Sequence, residues 1–318
     1  MMGAISPQGR IAREAGFGRE DNDTQLRRRW RLTCRGKGIA GREQTGVRRP
    51  LRRPSARARN AMAAADIPTW NGPRALPDRS DALHFVAAPG HLPAGRRVYA
   101  IGDIHGCLDQ LRRLHATIAD DLRARPVAAA VVVHLGDYID HGPDSAGVLS
   151  LLQGGPDLPG ARVVNLLGEH ERMLLDALDG DRAAATDWLW SGGKETLASW
   201  GLDPDLPREQ WLAAIPPEHA AFLRGLALSH REGDYLFVHA GIRPGVPLAR
   251  QTRDDLLGIR QPFLWSEQDF GVVVVHGHSA NPQPVTLANR IGLDTGAGMG
   301  GKLSCAVLEA DRLGLLAV

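Results

Sequence analysis

The chain is poor in cysteine and lacks long apolar runs. Its 318 residues include only three cysteines, Cys34, Cys107 and Cys305, an odd number spread over the whole length. This usage excludes a disulfide framework and a zinc ribbon. Apolar runs such as residues 127–133 are far shorter than the ~20 residues that cross a bilayer, so no membrane partner is expected. No signal-like apolar segment follows the start, and we expect a cytoplasmic protein.

Acidic residues are scarce in the first sixty positions, which the small net charge of +2 conceals. Residues 1–60 hold 16 Lys and Arg against 5 Asp and Glu, a net charge of +11, so the remainder carries −9. Apolar residues recur there without a period, and such a segment cannot bury enough surface to offset its ordering entropy. We predict a disordered Arg-rich tail and lead-in over residues 1–80, or a start codon assigned too early, with Met62 as the true start.

Two other interpretations of the basic tail remain open. Clustered arginines can bind nucleic acid or anionic lipid through phosphate charge, and an Arg-rich start can be a transit peptide. Binding of single-stranded nucleic acid also uses stacked aromatic side chains, whereas the arginine runs at 27–31 and 48–53 hold only Trp30. We therefore do not expect a nucleic-acid partner.

From Val98 onward the pattern becomes that of alternating strands and helices. Short β-rich runs end in glycine and a polar residue, and helical spacing of leucines follows the first of them. The segment 171–228 is predicted to be mostly helical, with a helix start at Pro216. This alternation indicates a layered α/β fold with its site at the strand ends. The predicted strands are 98–101, 127–135, 162–167, 235–239, 272–276, 303–308 and 313–318, and the first helices are 107–125 and 146–152.

Aspartate and histidine cluster where these strands end. Gly-flanked clusters occur at residues 102–106, 136–142 and 168–171, and histidine-bearing clusters at 237–241 and 275–279. Each motif alone is more often structural than functional, but five in order at strand ends indicate one site. Mixed Asp and His ligands suit Mn, Fe or Zn. Two such ions can share a hydroxide that attacks phosphorus in line.

Taken in order, these motifs resemble the calcineurin-like metallophosphoesterases. They resemble more narrowly the phosphoprotein (Ser/Thr) phosphatase branch in its bacterial and bacteriophage lambda form. The similarity runs from Val98 to the C-terminus and includes residues 190–193 and 289–297. It implies a β-sandwich of two mixed sheets flanked by helices over residues 81–318, with a helical insertion at 171–228 that shapes substrate access.

The resemblance also implies roles for individual residues and a cofactor. It implies two divalent ions, manganese first and iron or zinc as alternatives, and a phosphoprotein or small phosphoester as substrate. A bound phosphoryl group is suited to the bidentate contact that an arginine offers, and an imidazolium paired with a carboxylate can donate a proton. The implied residues are Asp103, His105 and His278 for the first metal, Asp137 as bridge, His239 and Glu169 for the second metal, His170 as general acid, Asp140 as its orienting carboxylate, and Arg260 for phosphate.

Two positions depart from the family pattern. Glu169 stands where the family has asparagine, which adds a negative charge and removes an N–H donor beside a dianionic substrate. His141 stands where the family has arginine, so a permanent charge becomes an imidazole with an ordinary pKa of about 6.5. Both changes weaken phosphate binding, although His141 would still bind phosphate when protonated. The protein is then either a retuned phosphatase or a weakened relative that acts as a binding module.

The preferred function is hydrolysis of phosphate monoesters on Ser or Thr of proteins. A dinucleoside tetraphosphate hydrolase shares the metal centre and is the alternative within the family. That group typically has Asp after the histidine of the third motif, whereas Glu171 stands here, so the protein-phosphatase branch is favoured.

Overall fold

The computed structural model describes residues 83–318. The predictions for the tail at residues 1–80, the lead-in boundary at residue 81 and any nucleic-acid role of the tail therefore lie outside the described residues.

Eleven strands in residues 83–318 form two sheets. They are β1 (Phe85–Ala87), β2 (Arg96–Ile101), β3 (Ala129–His134), β4 (Ala161–Asn165), β5 (Ser229–Glu232), β6 (Tyr235–Val238), β7 (Val273–His276), β8 (Val285–Thr286), β9 (Arg290–Gly292), β10 (Ser304–Glu309) and β11 (Arg312–Ala317).

Each sheet mixes parallel and antiparallel pairs. The first has the order β1-β11-β10-β2-β3-β4, with β2, β3 and β4 parallel to one another and the other neighbours antiparallel. The second has the order β5-β6-β7-β9-β8, in which β6, β7 and β9 are parallel. Carboxyl ends of parallel strands meet at one edge of a sheet, where ligand sites form in such folds.

The sheets pack face to face because their strands alternate apolar residues on both sides. Val98 and Ala100 of β2 join a buried cluster with Phe237 and Val275 of the second sheet. Tyr99, the intervening residue, points to the opposite face and packs in the helix-covered core. A strand that is buried on both faces has an almost continuous run of apolar residues in its sequence. This run made β2 and β3 recognisable in the sequence.

The helices cover the outer faces of the sandwich. Five of them, with a π-helical turn at Leu189–Gly193, occupy residues 169–224. They are α1 (Leu108–Ala124), α2 (Ser145–Gly154), α3 (Glu169–Leu178), α4 (Arg182–Trp188), α5 (Lys194–Ser199), α6 (Arg208–Ala214), α7 (Pro217–Arg224) and α8 (Arg253–Gly258). None of the helices in residues 83–318 is long and apolar enough to span a bilayer.

The predicted fold class, two mixed sheets flanked by helices, is confirmed. The structure differs in detail: β1, β5, β8, β9 and α8 were not predicted, and the helix expected to continue to Leu228 ends at Arg224. These unpredicted elements are two to six residues long. Such lengths carry too few residues for a period to be detected.

Candidate metal centre

The candidate ligands lie in the loops that follow five strands. Because these strands end at the same edge of the sandwich, residues far apart in sequence meet there. The candidate ligands are Asp103 and His105 after β2, Asp137 after β3, Glu169 at the start of α3 after β4, His239 after β6 and His278 after β7.

Left-handed backbone is concentrated in these loops. Of the six non-glycine residues with positive φ in residues 83–318, five are His105, Asp137, Asp140, His141 and His278. This conformation costs roughly 1 kcal/mol or more per residue, although Asp and His tolerate it better than most. The surrounding packing must hold it in place, a pattern that is typical of functional sites.

Asp137 lies at the centre of the cluster. Its Oδ2 is 3.3 Å from Nε2 of His239, 3.7 Å from Nε2 of His105 and 4.0 Å from Nε2 of His170. Burial opposes ionisation, but the imidazoles outweigh it and hold the pKa of Asp137 well below its usual range. A buried anionic carboxylate among ring nitrogens is suited to bridging two cations.

Backbone carbonyls orient two of the histidines. Nδ1 of His105 lies 2.9 Å from the carbonyl oxygen of Ile139, and Nδ1 of His239 lies 2.9 Å from that of Leu135. A carbonyl oxygen only accepts, so Nδ1 carries the proton and Nε2 of each ring faces Asp137 as a ligand atom. Metal-bound imidazoles typically have their second nitrogen fixed in this way.

Buried ligand atoms at this place lack protein partners. Within residues 83–318, Oδ1 of Asp103 and Nε2 of His278 have no hydrogen-bond partner. An unpaired buried polar group costs about 1–3 kcal/mol. Burial would lower the pKa of His239, but Asp137 and Asp103 hold it well above its usual value. The carboxylates Asp103 and Asp137 therefore favour a positive charge in the centre, which a bound cation would supply.

The donor set fits divalent ions. Two groups have ligand atoms within 4.8 Å of one another, Asp103–His105–Asp137 and Asp137–His239–His278. They share Asp137, and carboxylate with imidazole suits Mn, Fe or Zn. The residues present therefore fit a dinuclear centre.

Glu169 adds a further charge at the edge of this centre. It is half-buried, and its Oε1 lies 3.1 Å from Nδ1 of His278. Burial would raise its pKa, but the contact with His278 holds it below its usual value, so the side chain is an anion. A ligand atom of Glu169 also lies within 4.8 Å of those of Asp137 and His170. An asparagine here would be neutral.

Asp140 and His170 form a buried pair beside the centre. Nδ1 of His170 donates to Oδ2 of Asp140 at 2.7 Å, while Oδ1 of Asp140 accepts from Nε1 of Trp188 at 3.1 Å and from Oγ1 of Thr196 at 2.6 Å. Burial would lower the pKa of His170, but the charges of Asp137 and Asp140 raise it to about 10. His170 is therefore held protonated, with Nε2 facing Asp137.

Arg260 and His141 line the same opening. Both are exposed and lie around a cavity of about 240 Å³ with Met299 and all the metal candidates except His239. Burial and the neighbouring His105 and His170 lower the pKa of His141, which makes it a poorer cation than the arginine of the family pattern. The structure thus brings together all the residues that the sequence pointed to, while their roles remain predictions.

Glu171 was missed by sequence reasoning as a structural part of the site. Its Oε2 accepts from the backbone N–H groups of Asp137 and Gly168 at 2.8 and 3.0 Å, and its Oε1 from those of Tyr138 and Ile139 at 2.7 and 3.2 Å. One buried carboxylate therefore holds the loop of the second motif, residues 136–142, against the third motif, residues 168–171. The cluster at 168–171 contained the residue, but no spacing indicates a contact 34 positions away.

Asp294 was also missed as a site residue. It lines the cavity, and after burial its charge is the largest cause that raises the pKa of Asp103. Its segment, residues 289–297, had been singled out for resemblance alone.

The second and third motifs approach each other backbone to backbone at Gly168. A Cβ on Gly168 would overlap the backbone nitrogen of Asp137, so only glycine fits here. The close approach is what lets Glu171 reach the Asp137 loop.

Carboxylates and imidazoles that meet at the strand ends of a two-sheet sandwich are suited to metal-ion catalysis. The chain belongs to the calcineurin-like phosphoesterase family, which it matches over residues 96–312. Members of this family use a dinuclear metal centre, in agreement with the donor set described above. The chain is accordingly a phosphoesterase-class enzyme.

Two named relatives point to different substrates. Serine/threonine-protein phosphatase 1 of Salmonella typhimurium is 28% identical over 235 residues, 67% of this chain and 93% of the relative. A symmetrical bis(5'-nucleosyl)-tetraphosphatase of an Acidovorax species is 37% identical over 147 residues, 46% of this chain and 44% of the relative. The chain therefore matches less than half of this tetraphosphatase.

Two solved structures share the fold. A candidate diadenosine tetraphosphatase has a TM-score of 0.51 and 24% identity, with 72% of this chain and 98% of that chain covered. The cold-active protein-tyrosine phosphatase of a psychrophilic Shewanella has a TM-score of 0.50 and 19% identity, with coverage of 70% and 80%.

Proposed function

We propose that this protein is a serine/threonine protein phosphatase that hydrolyses phosphate monoesters with two divalent ions. Manganese is the metal that we expect most. The observation that carries the proposal is the hydrogen-bonded pair of Asp140 and His170. Nε2 of His170 lies 4.0 Å from Oδ2 of Asp137. The near-complete coverage of the Salmonella relative supports the protein-phosphatase assignment.

In this proposal each residue has a distinct task. Asp103, His105 and His278 would hold the first ion, Asp137 would bridge, and His239 and Glu169 would hold the second. When bound, the two ions would activate water and stabilise charge on the phosphoryl oxygens. Arg260 would bind and orient the phosphoryl group by bidentate contact, assisted by His141 when that side chain is protonated.

His170 would protonate the leaving oxygen from Nε2. Asp140 accepts the Nδ1 hydrogen, which fixes the ring and keeps the proton on Nε2 available. A serine alkoxide is a poor leaving group, so a donated proton at this position lowers the barrier directly. The burial of Asp140 and its bonds to Trp188 and Thr196 hold the pair in one geometry.

Hydrolysis of dinucleoside tetraphosphates is the second candidate. Trp190 is 85% exposed and lies two residues before Gly192, where an added Cβ would be 2.8 Å from Nδ1 of His141. An exposed indole beside a phosphate site is suited to stacking on a nucleobase. The Acidovorax relative supports this candidate as well.

The discriminating experiment compares kcat/KM for a phosphoserine peptide and for a symmetrical dinucleoside tetraphosphate with added Mn²⁺. We expect the peptide to be turned over faster, and W190A to leave its rate close to wild type. A faster tetraphosphate reaction that W190A weakens would establish the second candidate. Absence of turnover of either substrate from about pH 5 to about pH 9, with metal bound, would make the protein a binding module.

A further inference from the structure

The cavity over the candidate metal centre has two unlike sides. Candidate metal ligands, together with Arg260 and His141, give it charged and ionisable groups. The loops after β7 and β9 contribute His278 and Asp294 as well, but their other cavity residues are small or apolar. We name these four residues the apolar wall: Ala280, Gly296, Gly298 and Met299. The charged side suits a phosphoryl group, whereas the apolar wall offers nothing to a phosphate and must serve another part of a substrate.

Met299 is the exposed end of the apolar wall. Six large apolar side chains are exposed in residues 83–318, and Met299 is the one among them that lines the cavity. The residue is 74% exposed. Its methyl carbon lies 3.5 Å from the position that a Cβ on Gly296 would take. The methionine side chain therefore lies along the wall and presents apolar surface at the rim of the cavity.

The turn that carries Met299 is held against two histidines of the site. The amide N–H of Met299 donates to the carbonyl oxygen of Gly296 at 2.9 Å, which closes the turn on itself. A Cβ on Gly298 would lie 2.6 Å from Cβ of His105 and 3.2 Å from Cβ of His141. The backbone of the turn thus packs directly on these side chains, and Met299 has a fixed place beside His141.

In the proposed reaction the leaving group would extend past this wall. His170 is the residue that protonates the leaving oxygen, and the ring centroids of His141 and His170 are 5.1 Å apart. Because Gly298 packs on His141, the apolar wall borders the same side of the cavity as the proposed acid. Consecutive Cα atoms of a peptide are ~3.8 Å apart. A residue next to a phosphorylated serine therefore reaches the rim where Met299 lies.

We propose that Met299 and the apolar wall bind a large apolar side chain next to the phosphorylated serine or threonine, and so select the peptide substrate. Methionine is flexible and polarizable and adapts to apolar partners of different shape. Covering its exposed surface removes apolar area from water, which favours binding. A small polar neighbour gains nothing from this contact. The inference rests on the proposed function, because it requires a phosphopeptide in the cavity.

The test compares two phosphoserine peptides in the presence of Mn²⁺, one with leucine on both sides of the phosphoserine and one with serine there. For wild type we expect kcat/KM to be about fivefold higher for the leucine peptide, the effect of burying part of a leucine side chain. M299S should abolish this preference, mainly through a higher KM for the leucine peptide, because the contact is made equally in the ground state and the transition state. M299L keeps an apolar side chain and should preserve the preference.

L287S is the matched control. Leu287 is also an exposed apolar residue, but it lies outside the cavity, so L287S should keep the wild-type preference. Equal kcat/KM for the two peptides in wild type, or a preference that survives in M299S, would overturn the inference.

A protein that turns over neither peptide would contradict the proposed function rather than this inference. Binding then decides, measured by calorimetry with the same two peptides carrying a phosphonate in place of the phosphate ester. We expect the leucine phosphonate to bind about fivefold more tightly to wild type and equally tightly to M299S. Equal affinities in wild type, or a preference that M299S retains, would overturn the selection by Met299.

Discussion

Asp140 accepts a 2.7 Å hydrogen bond from Nδ1 of His170 and has no solvent exposure. Its other oxygen is bound by Trp188 and Thr196, which belong to α4 and α5. The helical segment therefore does more than cover the site: it fixes the carboxylate that orients the proposed acid.

Replacement of Asp140 should lower the pH at which His170, the proposed general acid, loses its proton. In D140N the negative charge that raises the pKa of His170 is gone, so this pKa falls toward its ordinary value. The ring then loses its proton at lower pH, and the alkaline limb of the kcat profile should move to lower pH with kcat reduced about 10- to 100-fold. T196S, which keeps the hydroxyl donor to Asp140, is the control and should retain the wild-type limb. An unmoved limb in D140N would show that His170 is not the acid.

Restoring asparagine at position 169 should improve phosphate binding. Glu169 is an anion near the proposed phosphate position, and its removal lessens repulsion of a dianionic substrate. For E169N we expect KM of an aryl phosphate to fall several-fold, about 1 kcal/mol, under saturating Mn²⁺. E169Q, which also removes the charge but has a longer side chain, separates charge from ligand geometry. A higher KM in both variants would mean that the carboxylate contributes to the second metal position more than it repels substrate.

The Glu171 clamp should be important for stability. In E171Q one oxygen is replaced by an NH₂ group that cannot accept, so two of the four backbone donors to Glu171 lose their partner. Each costs about 1–3 kcal/mol, and we expect the free energy of unfolding to fall by about 2–4 kcal/mol in urea denaturation. The exposed Glu267 provides the control E267Q, which should be neutral. A loss below ~0.5 kcal/mol would mean that water replaces the clamp.

A buried histidine pair should make the fold sensitive to acid. His115 and His134 contact through Nε2 atoms at 2.8 Å, and Nδ1 of His134 lies 2.8 Å from Oδ1 of Asn165. Burial lowers the pKa of His115 to about 4 and of His134 to about 3. In the unfolded chain these histidines have an ordinary pKa of about 6.5. The free energy of unfolding is therefore highest above that pH. It falls as the pH drops further, by up to ~1.4 kcal/mol per pH unit for each histidine. H134N should give a shallower decline between about pH 7 and about pH 5 in urea unfolding, and equal slopes would refute this.

How far the sequence predicts the fold depends on where residues show a period. Val98 and Ala100 lie on one face of β2 and Tyr99 on the other, and this buried run is visible in the sequence. Strands such as β8 (Val285–Thr286) are too short to carry a pattern, since pairing with β9 rather than composition defines them. The candidate ligands were found because each follows a recognisable strand and because the motifs resemble a known family.

The parts of the site that sequence reasoning missed depend on tertiary contacts. Glu171 was visible as one more acid in a cluster, but its bonds to Tyr138 and Ile139 exist only once two loops are brought together. Thr196 and Trp188 reach Asp140 from two short helices, Lys194–Ser199 and Arg182–Trp188. Such contacts have no sequence spacing, so only the folded chain reveals them.

The tight backbone approach at Gly168 determines which changes this enzyme can tolerate. Loops that are locked together by main-chain contact and by Glu171 cannot be remodelled one at a time, because any Cβ at Gly168 would overlap the neighbouring loop. Adaptation to a new metal or substrate must therefore proceed through side chains that project from a fixed frame. Directed evolution has room to act at positions 141 and 169, whose side chains face the cavity, and at the exposed Trp190 and Met299.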